Sequence, residues 1–401
     1  MQKLDKSILS TLLFSIFATV TGVGIVVPLL PVYAHDLGAS GLYIGMIFGA
    51  FSLSRTFLLP YFGRLSDKRG RKPFIVSGLI AYTLISLTYL FSKSVNSLII
   101  IRFVQGAGSA MLMPVIQAYV GDITPNGREG FTMGMFNMFL FFGLSIGPVL
   151  GGIIRDRFDL NAAFISMGLL VFIGFLLSLF LLPPTGSEQV VRRGRPPADW
   201  KRLLRDRDIA GIFLFRLAFT ACIGIIWGFL PVLGDAELSL SSSSIGFLVM
   251  LGIAISGMLH VPMGYLADRM NKKLMVVAGG LIVSYAILSF EWAGNFEAMV
   301  LASIFFGIGG GICMPALMAM AVLKGDSTNA MGSVMALMNV AHSLGMLLGA
   351  LLAGLMMDLS QLRQVFSLGT VIMSFGAGLF IIFTYHRKAY YNQVPSSGKP
   401  Q

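Results

Sequence analysis

Three arginines fall inside strongly apolar stretches of this chain, at Arg55, Arg102 and Arg216. A guanidinium stays charged in proteins, so in such surroundings each needs water, an anion or a polar partner. Other polar groups share these stretches. Thr220, Gly224 and Trp227 follow Arg216 at helical spacing, and Asn339 and His342 are three apart and so adjacent on a helix. Asn137, Gln105 and Gln117 add neutral hydrogen-bonding groups, and His260 adds a second imidazole. Groups of these types can hold a small molecule or pass a proton. Covalent chemistry is not expected of them. No nucleophile and base pair, H-E-x-x-H set or cofactor fingerprint surrounds the histidines, and Cys222 and Cys313 are isolated in apolar runs. No catalytic residue, metal or cofactor is therefore anticipated.

A second group of residues could hold charge at the ends of elements. Asp67 and Arg71 lie in a short polar loop, where a carboxylate favours a helix N-terminus and a guanidinium fork favours a carboxylate. Asp122 is the expected partner of Arg71. Asp268, Lys272 or Lys273, and Asp326 repeat that arrangement later in the chain. Gly143, Gly147 and Gly151 recur every four residues and make a flat stripe for close helix approach, with Pro148 loosening the ladder in its middle. Gly252, Ser256, His260 and Gly264 form a row of the same spacing, and the two rows are expected to meet.

The elements that position these residues follow from composition. Of 401 residues, 56% are hydrophobic and only 12% charged, about half the charge of an ordinary soluble protein. The chain's solvent must be largely lipid. Twelve apolar runs long enough to span a bilayer are present, which predicts an all-α membrane protein with twelve transmembrane helices. With the N-terminus inside, the internal loops and termini carry 22 of the 29 Lys and Arg and the external loops four. That asymmetry predicts both termini in the cytoplasm, in a multi-pass inner-membrane protein. The net charge of +11 is then explained by topology and needs no nucleic acid.

The polar stretch 185–207 divides the runs six and six, giving bundles over 1–184 and 208–401 joined by a cytoplasmic linker. A shift of 201 residues superposes Gly63, Leu65, Asp67 and Lys72 on Gly264, Leu266, Asp268 and Lys273, and Met113 and Pro114 on Met314 and Pro315. Two six-helix halves in parallel repeat leave a seam at mid-membrane, where transporters of this kind bind substrate.

The segment Gly63-Arg-Leu65-Ser-Asp67-Lys-Arg-Gly70-Arg71-Lys72 resembles the signature between helices 2 and 3 of the major facilitator superfamily, and Gly264-Tyr-Leu266-Ala-Asp268-Arg269 resembles its second copy. Arg102-Phe-Val-Gln105-Gly106-Ala-Gly108 is similar to the helix 4 motif. Gly143-Leu-Ser-Ile-Gly147-Pro148-Val-Leu-Gly151-Gly152 is similar to the helix 5 signature of its proton-coupled drug antiporters. The resemblance implies a secondary transporter working by alternating access, expected as a monomer and possessing a small-molecule substrate, with protons as a candidate coupling ion. It implies that Asp67, Arg71 and Asp122 latch the inner side shut in the outward-facing state. Arg55, Asn137, Gln117, Arg216, Trp227, Asn339 and His342 are the substrate candidates, and Arg102, His260 and His342 the proton-coupling candidates. Arg102 alternatively snorkels to the outer interface, near Asp36 or Glu291. The chain departs from cation exporters of the family in having no acidic residue near the centre of any run. An exporter of apolar or amphipathic molecules is the leading expectation, a transporter of organic anions the alternative, and a membrane enzyme or scaffold the alternative of another class.

Overall fold

The computed structural model describes residues 6–125, 129–183, 203–328 and 330–384. Twelve helices long and apolar enough to span a membrane follow one another among these: α1 (Lys6–Asp36, interrupted at residues 27–28), α2 (Gly41–Arg69), α3 (Lys72–Phe91), α4 (Val95–Asp122), α5 (Thr132–Arg157), α6 (Leu160–Leu181), α7 (Arg207–Ala236), α8 (Ser242–Arg269), α9 (Lys272–Trp292), α10 (Phe296–Ser327), α11 (Met331–Leu359) and α12 (Gln364–Thr384). Of the linker expected over 185–207, residues 185–202 lie outside the described residues.

Helix starts obey local chemistry. Ser94 accepts from the Ser97 N–H at 3.3 Å and Asn295 from the Ala298 N–H at 2.9 Å, so α4 and α10 are capped 201 residues apart in sequence, in the register of the repeat. Both helices also carry the matched prolines Pro114 and Pro315.

Packing repeats as the sequence does. In the first six helices α1 lies against α5 and α6, α3 against α4 and α6, and α2 against α4. In the last six, α7 lies against α11 and α12, α9 against α10 and α12, and α8 against α10. Two pairs make most of the contact between the halves, α2 with α11 and α5 with α8, while α2 and the end of α1 also touch α7. Each main pair is the counterpart of the other under the repeat, so the seam is built twice from the same plan. Outward faces carry bulky apolar side chains such as Phe57, Phe180 and Val261, as lipid contact requires.

Candidate functional site

The seam closes tightly at the end remote from the basic loops. A side-chain carbon at Gly41 would lie 2.5 Å from the Gly354 oxygen and 2.7 Å from Met357 Cβ, so only glycine lets α2 and α11 cross here. At the same level Asp358, the one acidic residue of α11, accepts the Gly41 and Leu42 N–H groups at the start of α2, the latter at 2.9 Å. Its counterpart is Asp156 at the end of α5. That carboxylate accepts the Ser242 N–H at 3.0 Å, the Ser243 N–H at 2.8 Å and the Ser243 hydroxyl at 2.6 Å, at the start of α8. Each half thus offers a carboxylate to the unsatisfied donors at a helix N-terminus of the other. The sequence reading missed both aspartates. The available signal was that Gly41 and Ser242 differ by the repeat shift of 201, and Asp156 and Asp358 by nearly the same amount.

At the basic end glycines of the same four helices make no such contacts. Gly63 on α2, Gly134 on α5, Gly264 on α8 and Gly332 on α11 each have open space where a side chain would begin.

The glycine stripe of α5 does not face α8 as expected. Side-chain carbons at Gly143, Gly147 and Gly151 would lie 2.6 Å from Val20 Cγ2, 2.7 Å from Gly24 Cα and 2.9 Å from Ile25 Cα, all on α1. The neighbouring face of α5 meets α8: Gly152 against Ser242 and Ser243, Pro148 against Gly246, and Phe141 against Gly257. Nor does the α8 row form one face to the seam, because Gly252 looks toward Phe306 and Ser303 of α10. A four-residue period advances around an α-helix by more than a full turn, so rows of equal spacing need not meet. His260 does reach the seam. Its ring lies 4.9 Å from that of Phe141, and its Nδ1 is 2.5 Å from the Ser256 carbonyl oxygen.

Arg216 on α7 reaches toward α11 and α10. Its Nη2 is 3.4 Å from His342 Nδ1 and its Nη1 donates to the Met314 sulfur at 3.4 Å, while its Nε is buried with no hydrogen-bond partner. A guanidinium can only donate, so His342 Nδ1 is the unprotonated ring nitrogen in this contact. Arg55 on α2 is half-buried and its Nε is likewise buried and unpartnered. It lies within electrostatic range of His342, as Arg216 does. Gly224 presses on the Met346 backbone, and Trp227 packs with Val27, Phe48 and Ala350. Asn137 on α5, Gln117 on α4 and Asn339 on α11 are exposed.

Arg102 departs from expectation. It is buried, not at an interface, and pairs with neither Asp36 nor Glu291. Its Nη1 donates to Gln105 Oε1 at 2.8 Å and its Nε to the Ile47 oxygen at 3.4 Å, while its guanidinium lies 4.5 Å from the Phe51 ring centre and 5.2 Å from that of Phe48. Tyr89 donates to the same Gln105 oxygen at 3.0 Å. Asp36 instead pairs with Arg155 at 3.5 Å, and Glu291 accepts from Ser367. Arg102 therefore joins α2 to α4 through neutral acceptors and aromatic faces.

The charged cluster of the first half forms as expected. Buried Arg71 pairs with Asp67, with Asp122 at 3.0 Å, and donates to Ser66 Oγ at 2.8 Å. All four residues belong to the same half, so in this structure the cluster ties α2 and α4 to the loop before α3. The second half does not copy it. Asp268 and Asp326 form no ion pair among the described residues, Lys272 is buried without one, and the Lys273 ammonium donates to the Thr384 carbonyl oxygen. Buried Lys324, near the repeat position of Asp122, instead pairs with Asp208 at 2.7 Å and Asp206 at 3.1 Å. The charge at the end of the fourth helix of each half is reversed, so its partners come from the start of α7.

Comparison with known proteins agrees with this architecture. The family model described as Major Facilitator Superfamily matches residues 12–259 and 212–400. An uncharacterised MFS-type transporter of Methanocaldococcus jannaschii is 28% identical over 379 residues, covering 92% of this chain and 96% of the relative. Multidrug resistance protein 2 of Bacillus subtilis is 25% identical over 388 residues, covering 94% and 96%. The crystal structure of a point mutant of the nucleoside transporter NupG superposes with a TM-score of 0.81 at 13% identity, covering 94% of this chain and all of the other. With twelve spanning helices packed in two matching sets and this family match across nearly its whole length, the chain is a multi-pass membrane transporter belonging to the Major Facilitator Superfamily.

Proposed function

We propose that the protein is a secondary active exporter of amphipathic small molecules, working as a monomer by alternating access in the inner membrane, with the basic end of the helices in the cytoplasm. One observation carries this reading: the seam is sealed by backbone contacts and two carboxylate caps at one end, whereas glycines of the same four helices near the other end have no neighbour within 4 Å of a side-chain carbon. A membrane-spanning seam closed at one end alone is what a rocking mechanism needs in one of its states. The halves 1–184 and 208–401 are the rocking bodies, and 185–207 is the cytoplasmic connection between them. The concentration of Lys and Arg at the end opposite the seal supports the orientation. The likeness to a multidrug resistance protein supports export of drug-like molecules. Asp67, Arg71 and Asp122 serve as the latch that would meet the other half when the basic end closes.

The test is transport of the neutral dye N-phenyl-1-naphthylamine into and out of proteoliposomes, with and without a pH gradient. A bismaleimide bridge between Leu42→Cys and Leu355→Cys, exposed positions on α2 and α11 at the sealed end, should stop flux. Flux that continues through fully bridged protein would show that the sealed end never opens.

A further inference from the structure

We infer that the seam between α2, α7 and α11 binds the anionic head group of an amphipathic substrate, a sulfonate, carboxylate or phosphate ester, between Arg55 of the first half and Arg216 of the second. The inference rests on the export reading above and names its substrate class.

The chain shows how it buries an arginine that has only a structural task. Arg102 has a carbonyl, an amide oxygen and two aromatic faces arranged around it. Arg55 and Arg216 have no such shell. Arg216 meets a thioether and a neutral ring nitrogen, Arg55 forms no hydrogen bond or ion pair among the described residues, and both leave Nε buried and unused. Buried donors on a charged group are rarely left unsatisfied, and a desolvated cation is stabilised above all by an anion. The described residues do not provide one. The acidic residues of the twelve described helices stand at their ends: Asp67, Asp122, Asp208, Asp268 and Asp326 at the basic end, and Asp36, Asp156, Asp235, Glu291, Glu297 and Asp358 at the other.

Position brings the two arginines to one place. Along the antiparallel pair α2 and α11, Gly41 faces Gly354, Gly45 faces Ala350 and Gly49 faces Leu347. The same register, continued toward the basic end, puts Arg55 level with His342, which Arg216 touches from α7. Arg55 and Arg216 then belong to opposite halves and carry like charge in an apolar seam. Closing the basic end narrows that seam, which like charges oppose and an anion between them favours. The substrate's head group is therefore the counter-ion that permits closure, while its apolar body lies against Met314 and the aromatic walls.

A matched pair of probes tests this. 1-Anilinonaphthalene-8-sulfonate and N-phenyl-1-naphthylamine share a ring system and differ by the sulfonate. Purified protein should bind the sulfonate about tenfold or more tightly relative to its neutral analogue, and Arg55→Gln or Arg216→Gln should remove that preference. Arg→Lys at either position should retain part of it, which separates loss of charge from loss of fold. Dihexanoyl phosphatidylglycerol as competitor separates a lipid head group from a soluble anion. Displacement at lower concentration than unlabelled naphthalene sulfonate assigns the site to lipid, the reverse assigns it to a soluble substrate, and displacement by neither overturns the site. Equal binding of the two probes, unaltered in the Gln variants, overturns the anion inference while leaving export intact if the neutral dye is still transported. Absence of transport for both probes would sink the export reading itself.

Discussion

Asp156 and Ser243 are joined across the seam by two hydrogen bonds, one from the serine N–H at 2.8 Å and one from its hydroxyl at 2.6 Å. With the Asp358 cap on α2, this makes a two-point clasp in which each half stabilises a helix start of the other. Helix-cap interactions of this kind contribute about 1 kcal/mol each, toward the low end where the carboxylate is exposed as it is here.

The double variant Asp156→Asn, Asp358→Asn should weaken the sealed end by about 1–2 kcal/mol, a roughly 5- to 30-fold shift toward opening there. Maleimide labelling of a cysteine at Ala350, buried where α11 meets Gly45 of α2, should accelerate accordingly. Unchanged labelling would mean that glycine packing alone holds that end.

Arg71→Ala should lower stability by about 1–3 kcal/mol, because it leaves two carboxylates facing each other at a partly buried site. Asp67→Asn removes a half-exposed partner, so it should disturb folding less than it slows transport. Thermal unfolding in detergent and dye flux, measured on the same preparations, separate the two. Normal flux in both variants would reduce the cluster to a topology signal.

The α5 glycines should divide by face. Ala at Gly147 or Gly151 would meet α1 backbone within one half and should destabilise by about 1–3 kcal/mol. Ala at Gly152 would meet Ser242 and Ser243 across the seam, so its effect should be faster labelling at the clasp with little loss of melting temperature. Identical behaviour of the three variants would refute the assignment of faces.

Arg102→Gln should unfold more readily and leave any response to a pH gradient as it was, because its contacts are structural. His342→Gln, beside Arg216, is expected to alter that response, and His260→Gln to do so less, since its ring is stacked on Phe141 and bonded within α8. Stopped-flow dye flux at several imposed gradients reads this directly. A response lost in Arg102→Gln protein that remains folded would return that residue to the coupling path.

What the linear chain determined was whatever depends on local composition and its repetition. Apolar runs of spanning length dictate helices because lipid leaves backbone groups no other partner, and the 201-residue shift dictates two matching sets. The Asp67, Arg71 and Asp122 cluster was also legible, since loop length and charge type leave few partners. Facing was not. Gly143, Gly147 and Gly151 are equally suited to α1 or α8, and only the rotation of α5 in the packed bundle chose α1. Arg102 read like Arg55 and Arg216, three cations in apolar runs, until packing supplied one of them with Gln105, Phe48 and Phe51 and left the other two without a counterpart. Asp156 and Asp358 looked like ordinary loop-end carboxylates. Their use depends on two helix starts brought from the other half of the chain, at separations of 86 and 317 residues. A side chain's type limits which partners it can take; which partner arrives is decided by how the helices rotate and cross.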